Sequence, residues 1–312
     1  VNADMKIVPC SSHPQLARAI CDELGLEPCR TRVVHFSNQN IKVKIEENIR
    51  GTDAFVLHTS CPPVSDGLME LLITIDALRH ASANRITAVL PYYPYVRSDK
   101  KDEPRISITA RLVADLLQAA GADRVLTLDL HSPQIHGFFR IPVDHLTATG
   151  VLTEHFRAGG LEDWVLVAPD AGEVKDAGRY ASRLDIPLAI IDKRRHGDDE
   201  QAHATHVIGD VAGRRALIVD DEVATGGTLM QAARILLDHG AAGVTAAIVH
   251  PVLSGAAPER IRQGELEQLV VTDSIPIPAE KMCDKIRILS VAPLFAQAIA
   301  RIHDGRSVSS LF

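Results

Sequence analysis

The chain of 312 residues contains no GxxxxGK[ST] segment, and no GxGxxG follows a hydrophobic run. A Walker-type phosphate cradle and a dinucleotide fingerprint are both missing, so any nucleotide must be held by another architecture. Aromatic residues make up only 4%, against 46% hydrophobic residues in all. The core must therefore be aliphatic, as in buried parallel sheets. The five cysteines (Cys10, Cys21, Cys29, Cys61 and Cys283) form no CxxC pair. Their odd number and wide spacing argue against a disulfide frame or a zinc site, and fit reduced thiols in a cytoplasmic protein. No leader-like segment and no apolar run of about 18 residues occurs, so no membrane association is expected. A basic excess is absent too: the net charge of −7 argues against nucleic acid as the main partner.

What is present is an alternation. The runs MKIVPC, AFVLHTS, ITAVLP, RVLTLDL, WVLVAPD, LAIID, ALIVDD, VTAAIVHP and LVVTDS read as strands. Helical patterns such as HPQLARAICDELG, LMELLITIDALRHA and SITARLVADLLQAAGA lie between several of them. That rhythm predicts parallel α/β layers joined by right-handed crossovers. The pattern is also stated twice. AAGAD leads to RVLTLDL and HSPQIHGFF; later, ALIVDD leads to VATGGTL, and DHGAAG leads to VTAAIVHP. We expect two similar domains, 1–148 and 149–312, with the last helix packing back on the first. Ligands in open α/β sheets sit beyond the carboxyl ends of strands. Asp129, His131, Asp170, Lys193, Asp220 and Asp221 fall at such ends.

The most informative stretch is ALIVDDEVATGGTL, Ala216 to Leu229. A short buried strand leads into Asp220 and Asp221, then into Thr225, Gly226, Gly227 and Thr228. Glycine lets backbone N–H groups approach an anion, and a threonine hydroxyl adds a hydrogen bond. The following LMQAARILLDHGA is helical, so the loop feeds a helix N-terminus that favours negative charge. Acids for a polyol or metal beside an anion cradle suit a sugar phosphate. The plainer reading is a strand-to-helix connection with solvated acids.

Other segments are compatible with that chemistry. PYYPYVRSDKKDEPR, Pro91 to Arg105, sets Arg97, Lys100, Lys101 and Arg105 among three tyrosines. Cations can neutralise a polyphosphate and a planar group can stack on a base; a solvated basic loop is the alternative. His131 could ligate a metal or orient a phosphate, although a lone histidine is more often structural. Asp170 offers hard oxygens to Mg²⁺ or to a ribose hydroxyl. DKRR, Asp192 to Arg195, reads as a charged, mobile loop able to close over a reacting phosphate, or as a solvated turn.

Taken in order, CPPVSDGLMELLITIDALRHASANRITAVLPYYPYVRSDKKDEPR, AGADRVLTLDLHSPQIHGFF, IPVDHL, APDAG, DKRR, VDDEVATGGT, VVTDSIP and IARIHDGRSVSSLF carry a resemblance. Over nearly its full length the chain resembles the ribose-phosphate pyrophosphokinases, or phosphoribosyl-pyrophosphate (PRPP) synthetases. The resemblance implies an α/β fold of two phosphoribosyltransferase-like domains, each a mostly parallel sheet flanked by helices. It implies transfer of the diphosphoryl group of ATP to the 1-hydroxyl of ribose 5-phosphate, giving PRPP and AMP, with Mg²⁺ as cofactor. It also implies a homo-oligomer, dimer to hexamer, whose nucleotide site is shared between subunits. By residue, Asp220, Asp221, Thr225, Gly226, Gly227 and Thr228 match the ribose 5-phosphate site. Phe36, Arg97, Asp99, Asp102 and His131 match the ATP site; His131 and Asp170 match metal positions; Lys193 and Arg195 match the catalytic basic pair.

The chain departs from that pattern in places. Phe36-Ser37-Asn38-Gln39-Asn40 stands where the family usually reads Phe-Ser-Asp-Gly-Glu, and Ser98 where it reads Gln. Ala224 replaces an Asp ahead of Thr225, and Glu173 a common Gly. Asp176 stands where a basic residue is frequent, and Asn48 replaces a frequent Ser near Arg50, Arg105 and Ser309. These changes leave as one alternative a non-catalytic regulatory paralogue co-assembling with a synthetase. The loop VDDEVATGGT, which also resembles that of the phosphoribosyltransferases, leaves as another a PRPP-consuming phosphoribosyltransferase.

Overall fold

A computed structural model describes residues 4–194 and 204–311. The chain divides into two compact units: Val1–Thr147 with Ser274–Pro276 and Val291–Phe312, and Ala148–Asp273 with Ile277–Ser290. The units are not consecutive halves, because the end of the chain returns to the first.

The first unit holds β1 (Met5–Pro9), α1 (Pro14–Leu24), β2 (Thr31–His35), β3 (Ile41–Ile45), β4 (Asp53–Leu57), α2 (Val64–His80), β5 (Arg85–Leu90), α3 (Thr109–Ala120), β6 (Arg124–Leu128) and β7 (Val143–Leu146). Its five-stranded sheet runs β1-β4-β5-β6-β7, parallel throughout. β2 and β3 stand apart as an antiparallel hairpin. The central strands β4, β5 and β6 are buried along almost their whole length, as in a covered parallel sheet, whereas the edge strand β7 is only partly buried. On one face Val56, Ala88 and Leu90 pack with Leu71, Ile75 and Val113 of α2 and α3.

The second unit holds α4 (Thr149–Arg157), β8 (Trp164–Ala168), α5 (Val174–Leu184), β9 (Leu188–Arg194), β10 (Ala204–Ile208), β11 (Arg215–Glu222), α6 (Gly227–Asp238), β12 (Gly243–His250), α7 (Ala257–Gln263), β13 (Gln268–Thr272) and β14 (Ile286–Leu289). Its seven-stranded sheet runs β10-β9-β8-β11-β12-β13-β14. All neighbours are parallel except β10, which pairs antiparallel with β9. The strands β2, β3, β7, β10 and β14, missed by the sequence reading, are short or at edges, where few long hydrophobic runs are needed.

The last helix, α8 (Ala292–His303), belongs to the first unit and buries Phe295 and Ile299. Buried Asp53 fastens it. The Arg85 side chain donates to Asp53 and to the carbonyl of Ile302 (3.0 Å), while His303 Nδ1 lies 2.9 Å from Asp53 Oδ2. The interaction with the Asp53 carboxylate holds the Arg85 guanidinium more firmly protonated than usual.

Candidate active site

In the second unit the strand order reverses between β8 and β11. From β8 the chain steps outward to β9; from β11 it steps the other way to β12, β13 and β14. Connections leaving β8 and β11 therefore part to opposite faces and leave a crevice between the strand ends. Asp170 lies two residues past β8, and Asp220 and Asp221 close β11. The sequence-predicted acids of this unit thus end adjacent strands at the switch point.

Local bonds hold these carboxylates. Asp170 Oδ1 accepts the N–H of Gly172 (2.8 Å) and of Glu173 (3.3 Å), a tight turn that fixes it before α5 begins. β11 continues through both acids, pairing Asp220 with Ile248 and Glu222 with His250 of β12. Burial, reinforced by the negative charge of Asp221, pushes the Asp220 carboxyl up to about 8. A hydrogen bond to Asp221 and the charge of Glu173 act in the same direction, against the N–H of Asp221 that Asp220 Oδ1 accepts at 2.9 Å. Burial and the neighbouring charge of Asp221 therefore favour the protonated form of Asp220, which can then donate a hydrogen bond.

The anion loop follows at once. The N–H of Ser254 donates to Ala224 O (2.8 Å), that of Leu253 to Val223 O (3.0 Å), and Arg260 Nη1 to Thr225 O (2.7 Å). With its carbonyls engaged, the loop presents Thr225, Gly227 and Thr228 to solvent. Gly226 caps α6 in the left-handed region, φ +73°, with no capping side chain. A Cβ there would lie 3.7 Å from Ala257, an ordinary contact, so conformation and not space demands glycine. The helix starts at Gly227, which places its electropositive first turn on the loop. Arg260 and Glu173 belong to this machinery, and nothing in the sequence singled out Arg260. It reaches the loop from α7, a connection only the fold supplies.

One expectation is corrected. Lys193 and Arg194 are not loop residues: they end β9, paired with Thr205 and Ala204 of β10. Backbone pairing with a strand on the outer edge extends β9 through the charged residues. β9 neighbours β8 and runs parallel to it, so Lys193 leaves from the same sheet edge as Asp170. Arg195 lies outside the described residues.

In the first unit Arg97, Asp99 and Asp102 sit on the long connection after β5, and His131 follows β6, the next strand. The connection is pinned by side chains. Tyr93 Oη donates to Ala110 O (2.9 Å); Ser98 Oγ donates to Ser107 O (3.3 Å) and accepts Thr109 N–H (3.2 Å). Ser98 is thus spent on closing the loop. His131 is exposed, beyond Asp129 at φ +30°. Nearby, His145 Nε2 accepts the N–H of Leu130 (2.8 Å), which places that ring's proton on Nδ1. Phe36 lies off the sheet, at the tip of the β2–β3 hairpin, 48% exposed.

Among the described residues no three His, Cys, Asp or Glu side chains gather to hold a metal ion. Asp170 and Asp221 nevertheless offer the hard oxygens that suit Mg²⁺, which is commonly held by one or two carboxylates together with substrate phosphates. All five cysteines are free thiols. Among the described residues no helix is long and apolar enough to cross a membrane.

Residues 5–121 match the family profile for the N-terminal domain of ribose phosphate pyrophosphokinase, and residues 200–312 that for the phosphoribosyl synthetase-associated domain. The ribose-phosphate pyrophosphokinase of Caldanaerobacter subterraneus subsp. tengcongensis is 52% identical over 309 residues, 99% of this chain and 98% of that protein. The protein of the same name from Deinococcus radiodurans is 51% identical over 306 residues, 96% of this chain and 95% of its own. The crystal structure of phosphoribosylpyrophosphate synthetase from Mycobacterium smegmatis superposes with a TM-score of 0.90 at 42% identity, covering 97% of this chain and 99% of that one.

Proposed function

The chain belongs to the ribose-phosphate pyrophosphokinase family, and from that premise we propose how its residues carry out the reaction. It transfers the diphosphoryl group of ATP to the 1-hydroxyl of ribose 5-phosphate, forming PRPP and AMP. The observation that carries the residue assignment is the switch point, where Asp170 and the Asp220–Asp221 pair end adjacent strands just ahead of an open anion loop.

The phosphate of the sugar takes the N–H groups and hydroxyls of Thr225, Gly226, Gly227 and Thr228, against the positive end of α6. The ribose hydroxyls face Asp221, an acceptor, and Asp220, which keeps a proton to donate. ATP lies on Arg97, Asp99, Asp102 and His131, with Phe36 against the adenine. The 1-hydroxyl oxygen attacks the β-phosphorus, the bond from that phosphorus to the bridging oxygen of AMP breaks, and the hydroxyl proton is released. No covalent enzyme intermediate is needed, so the protein supplies positioning and charge. Lys193 and Arg195 stabilise the negative charge on the oxygens being transferred. Asp170 in the second unit and, separately, His131 in the first would serve as ligands for Mg²⁺, which when bound would neutralise phosphate charge.

The same proposal includes a homo-oligomer, dimer to hexamer, in which a second copy completes the nucleotide site. Half-exposed Phe36 at a hairpin tip supports it, since a large apolar ring in water is a ready contact. Free thiols at every cysteine support a cytoplasmic setting. The test is direct: purified protein with ATP, Mg²⁺ and ribose 5-phosphate should release AMP and PRPP in equal amounts. A protein that makes PRPP normally with Asp220→Asn, Asp221→Asn and Asp170→Asn would refute the site assignment, and sedimentation showing only monomers would refute the shared site.

A further inference from the structure

Thr59 lies two residues past β4 and is fully buried. Its polar groups join three stretches remote in sequence. Its N–H donates to Ser12 Oγ (3.0 Å), in the connection after β1. Its hydroxyl donates to Ser274 O (2.6 Å), in the short return of the chain to this unit, and accepts Tyr92 N–H (3.2 Å), just past β5. A hydroxyl can donate and accept at one atom, which no aliphatic side chain of that size can do. The flanking residues reinforce the grip: His58 N–H reaches Val89 O and Ser60 N–H reaches Tyr92 O, each at 3.0 Å. The path taken by the chain as it leaves β5 is therefore set from β4.

That path leads directly to Arg97, Asp99 and Asp102. Farther along, Tyr95 stands at φ +55° with its carbonyl accepting Ser98 N–H (2.9 Å), and Ser98 O accepts Ala110 N–H (3.0 Å). The segment is thus a loop closed at its far end by Ser98 and held at its near end by Thr59. We infer that Thr59 is a positioning residue for the nucleotide: without touching ATP, its hydroxyl sets where the segment bearing Arg97, Asp99 and Asp102 departs from the sheet. Full burial keeps it from the ligand, and burial alone does not require a hydroxyl, since valine has the same shape.

This inference rests on the placement of ATP on that segment, so the experiment includes a control for it. Steady-state kinetics are measured for the full chain and for Thr59→Val, Thr59→Ser and Arg97→Ala. Thr59→Val, which loses both hydroxyl bonds, should raise KM for ATP about tenfold. KM for ribose 5-phosphate should stay within about twofold, and Thr59→Ser should restore the wild-type value. A general loss of stability would move both substrates together and would not be rescued selectively. If Thr59→Val does not fold, Thr59→Ala removes the same hydroxyl without adding bulk, and the same pattern is required of it. Arg97→Ala raising KM for ATP while Thr59→Val leaves it unchanged would overturn the inference alone. No change with Arg97→Ala would overturn the placement of ATP beneath it.

Discussion

The two sheets differ in how they make room for a ligand. The seven-stranded sheet reverses direction between β8 and β11, so its topology opens a crevice and a short glycine loop suffices to line it. The five-stranded sheet adds β4, β5, β6 and β7 in one direction, and no crevice arises from strand order. Its proposed nucleotide segment is instead a long connection held by hydroxyls of Thr59, Tyr93 and Ser98. It also places Tyr95 (φ +55°) and Arg105 (φ +69°) in the left-handed region without glycine. Such residues persist only where neighbours over-determine the backbone. One candidate site is thus backbone lining a topological gap; the other is a strained loop braced by side chains.

The sharpest way to break this contrast is at the reacting phosphate. Lys193→Ala should lower kcat by about 10²-fold or more, because a cation that neutralises transition-state charge is worth that much. KM for both substrates should change little. A variant that loses affinity at unchanged kcat would move Lys193 from chemistry to binding.

Next is the glycine at the cap of α6. Gly226→Ala forces a side chain into the left-handed region at a cost of about 1–2 kcal/mol, without a clash. KM for ribose 5-phosphate should rise about tenfold while KM for ATP holds. An equal rise in both would mean that the units do not divide the substrates as proposed.

The acid pair gives a smaller effect that depends on pH. Asp220 is raised from 3.8 to about 8, so between those values the folded chain binds more protons than the unfolded one. Stability contributed by this group therefore falls as pH climbs from about 4 to 8. Asp220→Asn removes that fall and should raise Tm by about 3 °C at pH 8, and by less at pH 5. Equal shifts at both pH values would show that the carboxyl is ionised throughout. No comparable cost is expected from Ser98→Ala, because the loop of the first unit is built from neutral hydroxyl bonds.

How much could be read in advance follows the same division. VDDEVATGGT was legible residue by residue, because glycine and a helix start are the physical requirements of an anion cradle. Asp170 was legible as a strand end. The fold class followed from the spacing of hydrophobic runs, yet the order of strands did not: Arg260 reaches Thr225 across a long stretch of sequence, and no local pattern reports that. In the first unit Arg97 was, on physical grounds alone, one cation in a basic run and was set apart only by the resemblance. Thr59 did not stand out at all, because its partners Ser12, Tyr92 and Ser274 meet only on folding. Lys193 was misplaced into a loop because charge suggested solvent, while pairing with β10 decided the backbone.

The hairpin carrying Phe36 offers the finest test. The resemblance expects glycine at position 39, and the backbone explains why: Gln39 stands at φ +66°, its N–H bonded to Phe36 O (2.8 Å), while Asn40 N–H bonds to Asn38 Oδ1 (3.1 Å). Gln39→Gly would relieve left-handed strain but would also loosen the unfolded chain, and these terms oppose each other. The net gain should be under about 1 kcal/mol. If Phe36 meets adenine through this tip, the same variant should lower KM for ATP slightly or leave it unchanged. A clear rise in KM would mean that the strained glutamine holds the aromatic ring in place, which would make this turn, like the rest of its unit, dependent on a side chain and not on glycine.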